Sequence, residues 1–527
     1  MDQIMDQKLP SVFMYRRYYI PMIALGILGI AFISTRLLPE EYPPFVKSAV
    51  NMSGFLLALI VSTTWWVFFS RFSWLLKIEV VAIIVSAYYG AVKELEFNGD
   101  VEPKIIWRWE KPREDKIAEH RSNAPKIELE AISVVVGPED FPNYRNRNLD
   151  GVVTGPEIYS DWKSNPPKPV WKPQPCGAGY SGFSIAGNLA VTMEQRTDRE
   201  VVVAYDFATG TERWAHSWVA RHYDAMGGEG PMITPTIDGD LIYVLGGTGH
   251  FACLNAKTGQ PNWEKKLLDD NKNIQWGMSG SPLIYKDLVI VNPGEQEAKD
   301  LNRAIRAYDK KSGELRWQVG NNRAGYTSPM VATILDTEML LIFDGAEIAG
   351  YNPLTGSKYW ARPWVTNQGI NVAQPIPIGN DKLFITSSYG VGCGLLKLSK
   401  DGDKFKQEEL WHNFNLRCRF TSPVLFEGFI YGLDEGMLVC LDPNDGKRKW
   451  KGGRYGQGQL LRQGNKLIIQ AESGDLVMVE ATPAEFKELG KFKALSGDKT
   501  WNYPSLARGF AWVRNHNEMA CYDLRKK

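Results

Sequence analysis

The 527-residue chain carries almost no net charge, +1 with histidines neutral, so it offers no basic field that would attract nucleic acid. Its six cysteines, Cys176, Cys253, Cys393, Cys418, Cys440 and Cys521, include no C-x-x-C and no adjacent pair, which removes the usual thiol-redox and zinc spacings. A disulfide between Cys393 and Cys418 is compatible with a compartment outside the cytoplasm, but cysteine spacing does not dictate it. The six histidines, His120, His216, His222, His250, His412 and His516, lack H-x-x-H and H-E-x-x-H spacing, and no metal ligands are assigned. GYSGF at Gly179 is not G-x-S-x-G, and no phosphate-cradling glycine loop precedes a helix. Hydrolase and nucleotide-binding chemistry therefore have no sequence support.

What is present is a repeat. Between Ala204 and the C-terminus the chain returns eight times to a short apolar strand ending in an acidic turn. The clearest copy, AYDFATGTERW (Ala204 to Trp214), reads A-x-D-x-x-T-G-x-x-x-W: a strand, a turn that needs glycine for φ > 0, and a second strand. Further copies end at Trp263, Trp317, Trp360 and Trp450. Three are degraded: Leu396 to Trp411 has an insertion around Asp401 and Gly402, Met478 to Phe492 puts Phe for Trp, and Cys521 to Leu524 stops after the strand. A spacing of roughly 40 to 55 residues suits four-stranded propeller blades.

A polar-then-Pro step precedes most copies, at Thr234-Pro235, Ser281-Pro282, Ser328-Pro329, Gln374-Pro375, Ser422-Pro423 and Tyr503-Pro504. It opens the innermost strand of each blade, where Ser181, Thr234, Ser281, Ser328 and Ser422 are small enough for a crowded axis. Cys253, Cys440 and Cys521 occupy the motif's small-residue position and read as buried structural thiols. The last blade lacks an outer strand, so Val170-Trp171 is expected to supply it, with Trp171 closing the ring and leaving no free sheet edge there. The fold class is all-β, an eight-bladed propeller preceded by an N-terminal helical transmembrane region.

These repeats resemble the tryptophan-docking motifs of the eight-bladed quinoprotein (PQQ-like) propeller family, which includes quinoprotein dehydrogenases and an outer-membrane assembly propeller lipoprotein. The likeness covers Phe141 to the C-terminus. FPNYRNRNLDGVV resembles the W-x-x-Y-R-G-type opening of that superfamily, and WGMSGSP, NVAQP, RFTSP and WNYPSLARG resemble a branch without an assigned activity. A WD40 propeller fits poorly, because no Trp-Asp dipeptide or Gly-His start recurs.

The first ninety residues are a different material. Tyr18 to Thr35 and Ser48 to Ser70 are uncharged apolar runs, each near the ~20 residues a helix needs to cross a bilayer. Phe72 to Val92 is a third, interrupted by Lys77 and Glu79, whose alternative is an interfacial helix. Three spans are expected at about 18–35, 48–70 and 72–92. Lys8, Arg16 and Arg17, then Arg71 and Lys77, place both flanks in the cytoplasm, against a modest Arg36 and Lys47 versus Glu40 and Glu41 in the loop between. No cleavage pattern follows the first run, so a retained anchor in the bacterial inner membrane is expected, with the propeller periplasmic. The domains read as an anchor at 1–93, a charged linker at 94–138 with one short helix, and a propeller at 139–527. Trp107 and Trp109 are expected to pack on the propeller or at the membrane interface.

Loops before the inner strands should converge on one mouth of the central channel. Their polar and aromatic residues include Tyr180, Tyr326, Asn371 and Arg417, and the candidate cofactor-binding set is Trp276, Arg323, Gln374, Arg419, Arg454, Tyr455, Trp501 and Asn502. The excess of arginine favours an anionic ligand, and the alternative is that these residues simply bridge blades. The resemblance implies pyrroloquinoline quinone (PQQ) with calcium in the family's enzymes. Here their vicinal cysteine pair is absent, and their calcium and catalytic-Asp segments have no match. Asp238, Asp344 and Asp434 lie in blade turns, where Asx turns are expected. Two readings follow: a membrane-tethered scaffold that binds a ligand, or protein partners at the propeller rim, and, second, a PQQ-dependent dehydrogenase passing electrons to the membrane. No catalytic residue is assigned.

Overall fold

The computed structural model describes residues 12–37, 44–97, 103–123, 128–224, 227–268, 275–295, 301–402, 404–497 and 499–525. The chain divides into two compact units, Met1–Lys111 and Pro112–Lys527. Lys8 and the Glu40-Glu41 pair lie outside the described residues.

In the first unit, helix α1 (Val12–Leu37) packs along α2 (Pro44–Phe69). The contact is made of small side chains: Ala24, Ala31 and Ala58 are buried, Gly54 lies against Ala31, and Thr35 Oγ1 donates to Asn51 Oδ1 at 3.3 Å. Small residues let helix backbones approach closely where no hydrophobic effect drives association. Helix α3 (Trp74–Ala91) starts at Ser73, whose hydroxyl accepts from Leu76 N. Lys77 falls in its first turn and donates to Val67 O at 2.6 Å, so its ammonium is satisfied at the helix end. Val46–Phe69 and Trp74–Ala91 are long and apolar enough to cross a membrane by length and composition, and Met22–Leu37 is a shorter apolar run. A two-stranded hairpin, Val92–Phe97 with Pro103–Trp107, follows, and Trp107 stacks on Trp109 at 4.9 Å.

The second unit is an eight-bladed propeller. Its sheets, four-stranded except blade 7, to which Val152–Val153 adds a fifth strand, span Ser184–Val219 (blade 1), Thr236–Lys266 (2), Leu283–Val319 (3), Met330–Pro363 (4), Ile376–Asn413 (5), Val424–Arg454 (6) and Gln459–Lys493 (7). Blade 8 joins Ser505–Asp523 to the early strand Gln174–Pro175. In seven blades the ladder between the third and fourth strands shifts register at one motif position, beginning with Ala204/Tyr205 and Cys253/Leu254. The motif's small residue sits opposite the tryptophan, as in Ala204 with Trp214, Cys253 with Trp263 and Cys440 with Trp450. All six cysteines are buried and free.

Four docking tryptophans lie on the turn glycine of the next blade: Trp214 on Gly259, Trp263 on Gly313, Trp317 on Gly356 and Trp411 on Gly446. These glycines have φ near +70°, and a Cβ on Gly259 would come within 2.5 Å of the Trp214 ring. Several indoles also donate to the neighbouring turn, Trp214 Nε1 to Ala256 O at 3.0 Å and Trp450 Nε1 to Thr482 O at 2.7 Å. Trp171 lies on Gly210 and packs 5.2 Å from Trp512, while Val170 N donates to Cys521 O at 2.7 Å. The seam therefore uses the same contact as the other blade junctions.

The degraded copies differ from their sequence reading. In blade 7 Gly490, not Phe492, stands opposite Met478, and the space is filled by Trp162 from the N-terminal segment, 5.4 Å from the Phe492 ring. Blade 5's insertion lengthens the hairpin Gly392–Asp401/Lys404–Asn413 and moves Gly402 away from any neighbour. Trp360, left without that turn, is buried against Gly350 of its own blade.

Part of the charged linker is docked. Helix α4 (Arg113–Asn123) buries Ile117 and places His120 3.1 Å from Gln174 Oε1, beside the closing strand. Arg113 pairs with Glu229 at 3.4 Å, and Arg121 with Glu212.

We expect Gly259→Ala to cost about 2 to 4 kcal/mol by chemical denaturation, combining left-handed strain with collision against Trp214. Gly239→Ala, at φ +58° with nothing within 4 Å, should cost only about 1 kcal/mol, from strain alone.

Candidate functional site

The inner-strand step forms a belt of hydrogen bonds around the axis. Gly182 N donates to Thr234 Oγ1 (3.1 Å), Thr234 N to Ser281 Oγ (3.2 Å), Ser281 N to Ser328 Oγ (2.9 Å) and Ser328 N to Gln374 Oε1 (3.0 Å). Gln374 N then donates to Ser422 Oγ (3.0 Å) and Ser422 N to Tyr503 Oη (2.9 Å). Each blade's buried N–H is thus satisfied by the side chain of a later one, which is why short polar residues recur there. Ser181 is out of phase by one residue: its hydroxyl serves Met193 N inside blade 1, and Gly182 takes the belt position.

One end of the ring is closed by the opening segment. Phe141 bridges Ile185, Pro142 O accepts from Ile237 N, and Val152–Val153 pair in parallel with Arg462–Gln463, all at the far ends of inner strands. Arg145, 1% exposed, donates to Leu149 O, Asp150 O, Ser422 O, Pro423 O, Leu460 O and Tyr503 Oη at 2.8–3.4 Å. A buried guanidinium saturated by carbonyls ties blades 6, 7 and 8 together.

The loops that precede the inner strands lie at the opposite end. There Tyr180 stacks on Trp501 at 5.0 Å and meets His516 edge-on at 4.2 Å. Trp501 lies 4.9 Å from Phe420, with Lys499 Nζ 4.8 Å above its ring, and its Nε1 donates to Glu472 Oε1 at 2.8 Å. Arg419 sits over Tyr389 and Phe420 at 5.5 and 5.6 Å. A second group joins Trp276 N to Tyr326 Oη at 3.4 Å, and burial raises the Tyr326 hydroxyl despite nearby Arg323. The hairpin Tyr223–Asp224/Gly228–Glu229 reaches this end, with Gly228 against Tyr180, Lys499 and His516 and Gly227 against Trp276.

The eight candidate residues divide accordingly. Trp276, Arg323, Arg419, Arg454 and Trp501 belong to mouth-side loops or strand ends. Gln374 is taken by the belt, its Nε2 also donating to Ser328 O at 3.1 Å. Asn502 is buried and donates to Gly179 O and Ser181 O at 3.0 and 2.9 Å, bridging blades 8 and 1. Tyr455 is buried with its hydroxyl on Glu488 Oε2 at 2.7 Å, in the outer part of blades 6 and 7. His222, Tyr389, Lys499 and His516 were not singled out for this end; the histidines come from hairpins and strand ends that share no spacing with the repeat. Burial lowers the basicity of His222.

The turn aspartates follow three patterns. Asp344 forms the expected Asx turn with Ala346 N and Glu347 N at 2.8 and 2.9 Å, and burial pushes it up to about 6. Asp238 instead pairs with Lys310 at 2.7 Å, and the enclosed Asp434 pairs with Arg417, Arg448 and Lys451, each at 2.8 Å. Asp238 thus serves a cation of the neighbouring blade, and Asp434 serves cations of its own blade and of the loop before it.

This architecture is that of a PQQ-like repeat propeller. A family profile described as outer membrane protein assembly factor BamB matches residues 198–452. Methanol dehydrogenase (cytochrome c) subunit 1 of Paracoccus denitrificans is 35% identical over 106 residues, 20% of this chain and 14% of that protein. Outer membrane protein assembly factor BamB of Burkholderia pseudomallei is 21% identical over 203 residues, covering 30% and 51%, and quinoprotein alcohol dehydrogenase PedH of Pseudomonas putida is 26% identical over 154, covering 27% and 25%. The chain thus spans about half or less of the length of these curated relatives. Among solved structures, quinohemoprotein alcohol dehydrogenase from Comamonas testosteroni superposes with a TM-score of 0.51 at 13% identity, covering 78% of this chain and 85% of that one. A europium-containing methanol dehydrogenase reaches 0.53 at 14%, covering 77% and 92%. At these identities the likeness is one of fold.

A quinone with calcium fits these residues poorly. Three of the eight candidates spend their polar atoms inside the ring, and Trp501 is already packed by Tyr180, Phe420 and Lys499. Among the described residues no group of three or more His, Cys, Asp or Glu gathers as a metal site.

Glu200 gives this end of the ring a pH signature. Enclosed in blade 1, it accepts from Trp218 Nε1 and Gly247 N, both at 2.8 Å, and burial pushes it up to about 7 from 4.5. An acid raised on folding supports the fold while protonated and withdraws that support as pH climbs through its folded value. Stability should therefore fall as pH climbs from about 4.5 to about 7, by roughly 3 kcal/mol in all, and Glu200→Gln should flatten that slope in denaturation curves taken across the range.

Proposed function

We propose that the chain is a membrane-tethered, extracytoplasmic propeller that acts as a binding scaffold for a ligand or, at its rim, a protein partner. The observation that carries this reading is the state of the ring's candidate polar groups: Gln374, Asn502, Tyr455 and Trp501 hold blades to one another instead of waiting for a cofactor. The anchor would comprise residues 1–93, the linker 94–138 and the propeller 139–527. Exposed apolar side chains along α3, such as Leu75, Ile78, Ile83 and Ile84, suit lipid as their solvent. The basic residues at the first flank and at the α2–α3 turn support a cytoplasmic position for both. An odd number of spans then puts the propeller on the periplasmic side of an inner membrane.

The second reading, a PQQ-dependent dehydrogenase acting on an alcohol or sugar, has the dehydrogenase relatives and the mouth-side Trp276, Arg323, Arg419 and Arg454 in its favour. Calorimetric titration of the full chain in detergent with PQQ, with and without calcium, separates the two. No one-to-one binding is expected. Tight binding that Trp276→Ala or Arg454→Gln removes would establish the dehydrogenase reading.

The topology is separable. An alkaline phosphatase fused after Lys527 should be active, and activity of a cytoplasm-only reporter at the same point would overturn the orientation.

A further inference from the structure

Asp434 is surrounded by more positive charge than it needs. Its side chain is wholly enclosed, and it accepts from Arg417 Nε at 2.8 Å and Nη2 at 3.2 Å, from Arg448 Nη2 at 2.8 Å and from Lys451 Nζ at 2.8 Å. Burial works against its ionisation, and these hydrogen bonds and charges still hold its carboxyl below the usual range. One cation would neutralise it. Two more leave a surplus, reduced by the next residue, Glu435, which weighs on Arg417 and accepts from the Ser388 hydroxyl. Surplus like charge held together is a cost to folding unless an anion shares it.

The three cations stay within reach of solvent, with side-chain exposures of 31%, 30% and 17% for Arg417, Arg448 and Lys451. They adjoin an apolar strip. Arg448 donates to Asn415 O at 2.6 Å and to Phe414 O at 3.2 Å. The Phe414 side chain is 56% exposed, its ring 6.4 Å from that of His412, which in turn lies 4.7 Å from Trp364. Glu409 on that strand pairs with Arg362 at 2.9 Å and lies 3.9 Å from His412 Nδ1. An exposed aromatic beside undersatisfied cations is a combination that protein interfaces use: a side chain that anchors by burial and charges that steer and orient.

We propose that the junction of blades 5 and 6, with Phe414 beside Arg417, Arg448 and Lys451, is a docking surface for an acidic peptide segment of a partner protein carrying an aromatic or aliphatic side chain. The carboxylates would share the surplus charge around Asp434 and the apolar side chain would cover Phe414. The inference rests on the scaffold reading and names the partner's chemistry.

The test uses the full chain in detergent and fluorescence anisotropy with a fluorescein-labelled peptide of alternating glutamate and phenylalanine. Its twin carries glutamine for glutamate. The acidic peptide should bind at about 50 mM salt and weaken at about 500 mM, where exposed charges are screened. Lys451→Gln, which leaves both arginines on Asp434, and Phe414→Ser should each weaken it by roughly tenfold, while Lys358→Gln on blade 4 should not. Equal binding of the glutamine twin, no binding, or indifference to both substitutions would overturn the proposal. So would full competition by sulfate together with indifference to Phe414→Ser, which would make this a small-anion site. A failure here leaves the scaffold reading standing on the quinone titration, and tight quinone binding would remove the scaffold reading without altering the peptide result.

Discussion

The contact on which the propeller depends is an indole lying flat on a glycine of the neighbouring blade. A sheet of four strands cannot bury both faces alone, and most blade junctions cover the second face by handing a tryptophan to the next blade. The glycine must be glycine twice over, once for its left-handed backbone and once because the ring occupies the space of a side chain. Trp214 on Gly259 and Trp171 on Gly210 are the same solution, although Trp171 arrives from the other end of the repeat region. Ring closure is thus one more instance of the blade-to-blade rule.

Two further devices act nearer the axis. The belt of Thr234, Ser281, Ser328, Gln374 and Ser422 pairs inner-strand N–H groups with side chains of other blades, and Arg145 collects acceptor oxygens from three blades at the closed end. Both spend polar atoms on rigidity. The consequence for function is direct, since a quinone pocket requires aromatic faces and hydrogen-bond donors that are not already engaged. A ring with a stacked, cation-capped mouth is what supports the scaffold reading proposed above. Helix α4, held by Arg113, His120 and Arg121 beside the closing strand, extends that rigidity into the segment that precedes the propeller.

The buried acids divide the molecule by charge. Asp434 is held ionised by three cations, whereas Glu200 and Asp344 receive only hydrogen bonds from indole, amide and backbone N–H groups and are raised by burial. The difference lies in whether cationic side chains stand within reach of the carboxylate, as Arg417, Arg448 and Lys451 do at Asp434.

Much of this was legible beforehand. Eight copies of one motif state the blade number, the glycine turns and the docking tryptophans, because those features are local: each copy contains its own strand, turn and ring. Apolar runs in the first ninety residues announce helices for the same reason. What the sequence could not show were contacts between residues far apart along the chain. Trp162 replacing the missing tryptophan of blade 7, Gly182 instead of Ser181 in the belt, and Tyr455 turned outward to Glu488 all depend on where folding brings separate segments, and the cations at Asp434 depend on how blade 6 pairs its strands. Periodicity along the chain determines the ring and its number of blades, and only the closed ring decides which side chains its neighbours consume and which it leaves to face a partner.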